Sequence, residues 1–178
     1  MGVALSWAAI QSGQRPEAWG YHWSRRSVGV GILGVGVLVA VSAVTGYVDG
    51  VLFAGNEMNA TFTSAVTDAL RTTPSLALVF LLGNGVFGPI AEEQVWRGIV
   101  QTDAVEGWGV ATGIGTTALL FAFKHVVVDG SVARLTTLLA MGLVLGLLRH
   151  RSGTVSSTVA HIGVNTLSTA AIVFAALG

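Results

Sequence analysis

The chain has 178 residues, of which 52% are hydrophobic and only 10% charged, where an ordinary soluble domain carries roughly 25%. Nine basic and nine acidic side chains cancel with no run of one sign, which excludes the electrostatic footprint of a nucleic-acid binder or an acidic tail. Cysteine is absent, so disulfides, thiolate nucleophiles and cysteine-held metals are excluded together.

Taken in chain order, residues 1–27 read as an interfacial segment: the start MGVALSWAAI lacks the basic region of a signal peptide, and Trp19, Tyr21, Trp23, Arg25 and Arg26 suit a headgroup layer. Residues 28–178 form the expected transmembrane domain. Crossing a hydrocarbon core takes about 20 helical residues, and Val28 to Val48 supplies the first such run. The more polar stretch from Asp49 to Thr73 contains NATFTSAVTDALRT, which predicts a short amphipathic helix at the surface.

From Pro74 the apolar stretch is too long for one regular span. Gly83, Asn84, Gly85, Gly88 and Pro89 are expected to break it, with a second helix carrying GPIAEEQVWRGIV. The polar QTDAVEGWG reads as a connector. Spans follow at Val110 to Val128 and Val132 to Leu148, separated by the turn DGS. After the basic turn RHRSG, the last span covers Thr154 to Leu177. The expectation is an all-α, polytopic bundle of about five or six membrane helices around a buried polar cavity, with no strands. A positive-inside count places Arg15, Arg25, Arg26, Arg149 and Arg151 on one side and Arg71, Lys124 and Arg134 on the other, a mild orientation signal.

An ionised side chain at the centre of a membrane helix costs about 2.5 to 3.5 kcal/mol, so such groups face a cavity or one another. Within the spans stand Glu92, Glu93, Arg97, Lys124, His125, His161 and Asn165. If EGWG is the turn, Glu92 and His125 lie equally far from it and share a depth in the bilayer. His161 and Asn165 are four apart, hence one turn apart on a single face. Glu93 and Arg97, at i and i+4, suit an ion pair. That leaves Glu92 unpaired on its own helix and the better candidate to take a proton from water and return it.

Each element alone has a plainer reading. The Glu93–Arg97 pair could equally lock two helices, a lone histidine is more often a hydrogen-bonding residue, and Asn165 could bind helix to helix. Convergence of three helices at one depth favours a site. Lys124 is expected to snorkel to the headgroups and Asp129 to end its helix, while His22 and His150 read as surface residues.

EEQVWR fits EExxxR, FAFKH from Phe121 to His125 fits FxxxH, and HIGVN from His161 to Asn165 fits HxxxN, in that order. This set resembles the CPBP intramembrane proteases, the Abi or CAAX-protease-like family that includes type II CAAX prenyl endopeptidases, over residues 74–178. The resemblance implies a multi-pass protein, here of a prokaryotic cell membrane, that hydrolyses a peptide bond in a buried cavity. Its substrate would be a peptide or protein, lipidated in the CAAX case, and membrane lipids would surround it.

By the same resemblance Glu92 would activate water with His125, and His161 and Asn165 would stabilise the oxyanion. Glu93 and Arg97 would hold the site in shape. Prenyl-protein maturation, peptide processing and bacteriocin self-immunity are the roles implied. Glu92, His125 and His161 would also suit zinc by type, but HExxH spacing is missing and a Glu/His pair needs no ion. No cofactor is therefore preferred, and zinc stays the alternative. The rival from another class is a non-catalytic membrane scaffold or immunity protein that keeps the fold.

Overall fold

The computed structural model describes residues 19–54 and 58–178, so most of the predicted interfacial segment lies outside the described residues. Among these residues there are six helices and no strand: α1 (Arg25–Leu52), α2 (Met58–Thr72), α3 (Leu76–Trp108), α4 (Val110–Asp129), α5 (Leu135–Ser152) and α6 (Thr154–Leu177). Helices α1, α3, α4 and α6 are long and apolar enough to cross a membrane. The expected count was five or six. Helix α5 has 18 residues and ends in Arg149, His150 and Arg151, and it is not one of the four.

Helix α1 starts three residues before the predicted span because Ser24 and Ser27 cap it reciprocally, Ser27 N donating to Ser24 Oγ at 3.0 Å and Ser24 N to Ser27 Oγ at 3.1 Å. The amphipathic helix predicted at 59–72 forms as α2, with Leu70 buried. The Arg71 Nε donates to the Ala176 carbonyl at 3.2 Å, so a cation of α2 meets the free carbonyl end of α6.

Helix α3 differs from the expectation. It does not break at Gly83–Pro89, nor does it stop before QTDAVEGW; it runs unbroken to Trp108 and widens twice into π-helical turns, over Gly83–Phe87 and Gln94–Val100. Pro89 lacks an N–H and would leave a carbonyl one turn earlier without a donor. The neighbouring helix supplies donors there: Asn165 Nδ2 reaches the Asn84 carbonyl and Thr166 Oγ1 the Gly85 carbonyl, each at 3.2 Å. Side chains of α6 thus satisfy the groups that a break would have exposed to lipid.

The hairpin turns fall where glycine permits them. Gly109 (φ 81°) joins α3 to α4, as the EGWG turn predicted. Asp129 ends α4, as expected, and ion-pairs with Arg134 at 2.6 Å.

The core lies where α1, α5 and α6 meet, around Leu38, Met141, Leu145, Ala160 and Val164. Helices α1 and α6 approach closely because Gly31 faces Val159 and Gly163 faces Val35, with no room for a Cβ at either. Asp49, assigned by sequence to a polar connector, instead lies inside α1 and is buried. Its two carboxylate oxygens accept from Thr136 N and Thr137 N at 2.9 Å each. An acidic side chain of one helix caps the free N–H groups of another.

Candidate active site

A second buried cluster, Phe121, Ala122 and Leu138 with Trp96 against it, forms the floor of the polar site. Helix α3 brings Glu92, Glu93 and Arg97 to this floor, α4 brings Lys124 and His125, and α6 brings His161. Phe121 is the hub. Trp96, His125 and His161 meet its ring edge to face, and the Arg97 guanidinium lies 4.6 Å from its centroid.

Consecutive helical residues point about 100° apart, so two adjacent glutamates face different surroundings. Glu93 is fully buried with Arg97, both side chains 0% exposed, and Arg97 Nη1 stands 3.3 Å from Glu93 Oε1. The guanidinium also donates from Nη2 to the Gly142 carbonyl at 3.3 Å. Removing two ions from water costs several kcal/mol each, which mutual attraction offsets only when further partners are present. Here His161 provides one, its Nδ1 3.0 Å from Glu93 Oε1. An ionised carboxylate only accepts, so Nδ1 carries the hydrogen and Nε2 points the other way, to a position 3.9 Å from Glu92 Oε2.

Glu92 is 26% exposed and lies among three groups from two other helices. Its Oε1 is 2.5 Å from Lys124 Nζ and 3.7 Å from His125 Nε2. Phe121 O, a carbonyl that can only accept, is 2.9 Å from His125 Nδ1. The Nδ1 therefore donates, and Nε2 of the neutral ring accepts from Lys124 Nζ at 3.2 Å.

One sequence reading is corrected here: Lys124 does not reach for the headgroups, and its ammonium lies between Glu92 and His125, so Glu92, unpaired on its own helix, has a cation from the next one. The long stem lets Nζ fold back from a position next to His125 to the same carboxylate, a partner that lowers the cost of an ammonium in an apolar setting.

Of the other candidates, Asn165 lies one turn from His161 on α6, but its amide binds Asn84 of the first π turn, and Asn84 Nδ2 in turn donates to Thr169 Oγ1 at 2.8 Å. It joins the site through α3 and not by contact with Glu92. His22 and His150 are exposed, as expected. Among the described residues no group of three or more His, Asp or Glu is disposed to hold a metal ion. Of the donors Glu92, His125 and His161, the first two have the Lys124 ammonium between them, 2.5 Å from Glu92 Oε1 and 3.2 Å from His125 Nε2, a positive charge that opposes a cation at that place.

Sequence reasoning missed Lys124 and the part played by Phe121. The FxxxH motif had marked Phe121 without giving it a task. Spacing alone would have placed its ring one turn from His125, on the same face.

Six helices among the described residues, four of them long and apolar enough to cross a membrane, with ionisable side chains from three gathered in one cluster, define the class of polytopic helical membrane proteins. The chain belongs to the Rce1-like family: the model of that family, described as type II CAAX prenyl endopeptidase Rce1-like, matches residues 74–167. That stretch contains Glu92, His125, His161 and Asn165. Membership suggests a CAAX-protease-type intramembrane endopeptidase acting on peptide or protein substrates. No curated protein and no solved structure matches the chain.

Proposed function

We propose that the protein is an intramembrane endopeptidase that hydrolyses a peptide bond with a water activated by Glu92, without a metal ion. The observation that carries this reading is the placement of one partly exposed carboxylate between two imidazole Nε2 atoms, at 3.7 Å from His125 and 3.9 Å from His161. Glu92 takes a proton from water as the oxygen attacks the scissile carbonyl, and His125 is its partner. His161 presents Nε2 on the other side, and with hydrogen on both ring nitrogens, Nδ1–H on Glu93 and Nε2–H on the substrate, it donates to the carbonyl oxygen as that becomes an oxyanion. Asn165 uses one amide hydrogen on Asn84 and has a second to donate. Collapse of the tetrahedral intermediate breaks the C–N bond, and Glu92 returns the proton to the leaving amine.

Buried with Arg97, Glu93 fixes the orientation of His161 through Nδ1, and its charge favours the ring that carries hydrogen on both nitrogens, the form that this scheme needs. Lys124 supplies the positive charge beside Glu92, so the carboxylate has a cation without zinc. The family description favours a prenylated protein tail as substrate, and the apolar outer surface suits a lipidated chain entering from the bilayer. Bacteriocin self-immunity by cleavage of a membrane-inserting peptide is the other use of the same chemistry.

The test is cleavage of a peptide library and a farnesylated tail peptide by the purified protein in detergent, with Glu92→Ala and His125→Ala alongside. Cleavage by the wild type that both variants lack supports the proposal. Equal cleavage by all three removes it, and a scaffold would cleave nothing.

A further inference from the structure

We infer that Lys124 is a positioning residue of the site, an internal cation that sets which oxygen of Glu92 meets the water. The inference rests on the protease reading above. In the resting structure Lys124 Nζ touches Glu92 Oε1 at 2.5 Å and His125 Nε2 at 3.2 Å, and lies 5.7 Å from the centre of the Phe121 ring. The same ammonium therefore bridges helix α3 to the imidazole of α4. With Oε1 engaged, the carboxylate plane is fixed and Oε2 is the oxygen left facing His161 Nε2 at 3.9 Å.

Two neighbours set the geometry from behind. His125 cannot turn, because its Nδ1 is committed to the Phe121 carbonyl. Glu93 and Arg97 are committed to each other, and among the described residues no other lysine or arginine is ion-paired with Glu92. Lys124 is 30% exposed, so its ammonium stands at the accessible side of the cluster together with Glu92. Without it Glu92 would keep its place on α3 but lose the contact that orients it, and His125 Nε2 would lose its donor. Lys124 acts through Glu92 and His125, with no bond of its own made or broken in the reaction.

The experiment is a kinetic double-mutant cycle on the whole protein in detergent, with Lys124→Met, Glu92→Gln and the pair, and Lys124→Arg as the conservative variant. Lys124→Met is expected to lower kcat by about tenfold or more while KM stays within about twofold, the pattern of a lost transition-state alignment. Lys124→Arg should recover most of that loss. In the Glu92→Gln background Lys124→Met should lower the residual rate no further, since the two act as a unit.

Thermal melts accompany each variant. If Lys124→Met fails to fold, Lys124→Arg and the double variant, which has no unpaired charge, carry the comparison. A fully active Lys124→Met, additive losses in the cycle, or a loss confined to KM would overturn the inference while Glu92→Gln keeps its large loss of rate, and the protease reading then stands. A wild type that cleaves nothing overturns that reading and the role of Lys124 with it.

Discussion

His161 Nδ1 stands 3.0 Å from Glu93 Oε1, in a place where Glu93 and Arg97 are both inaccessible to solvent. A histidine of α6 is thereby fixed by a carboxylate of α3 that is itself neutralised on its own helix. Glu93→Gln keeps the shape and removes the charge, leaving Arg97 as a buried unpaired cation. Loss of one partner of such a pair costs about 3 to 5 kcal/mol. Thermal unfolding in detergent should show this loss, and Glu93→Gln combined with Arg97→Met should lose less than Glu93→Gln alone.

Metal chemistry is tested by removal. With Lys124 bridging Glu92 and His125, exhaustive chelation should leave the cleavage rate unchanged, and added zinc should not raise it. A rate abolished by the chelator and restored by zinc would require the ammonium to leave and the three donors to regroup.

Asp49 should matter for stability and not for the chemical step. Its carboxylate accepts from two backbone N–H groups at the start of α5, a cap worth about 1 to 2 kcal/mol. Asp49→Ala should lower the melting temperature by a few degrees, at roughly 2 to 4 °C per kcal/mol for a chain of this size. Asp49→Asn, which keeps one acceptor, should lose about half as much.

The contact of α1 with α6 offers a compensation test. A Cβ at Gly163 would collide with the side chain of Val35, and overpacking of this kind costs about 1 to 3 kcal/mol. Gly163→Ala should therefore destabilise the protein in a thermal melt. Val35→Ala in the same chain should restore much of the loss.

Much of this arrangement was legible in the sequence, and the gaps have physical causes. Distance from the Gly109 turn gave the shared depth of Glu92 and His125, because rise per residue is nearly constant in any helix. Spacing of four gave the Glu93–Arg97 pair. Depth says nothing about direction around a helix, however, and a lysine stem can cover that difference. This is how Lys124, next to His125 and nominally on another face, came to pair with Glu92.

The π turns were hidden for a related reason. Gly83 to Pro89 carries every local signal of a break, and only donors from Asn165 and Thr166 of α6 let the helix continue. Asp49 looked like the start of a connector because its partners, Thr136 and Thr137, are far away in sequence. In each case a contact between distant segments overrode a correct local rule.

The central claim is that Glu92 activates the water, and the most direct measurement is the turnover of Glu92→Gln against wild type on a substrate the wild type cleaves. Glutamine keeps an acceptor for Lys124 and the shape of the site but cannot take a proton. The account predicts a loss of about 10² to 10⁴ in kcat with the melting temperature little changed. Turnover at the wild-type rate by a folded Glu92→Gln protein would contradict it.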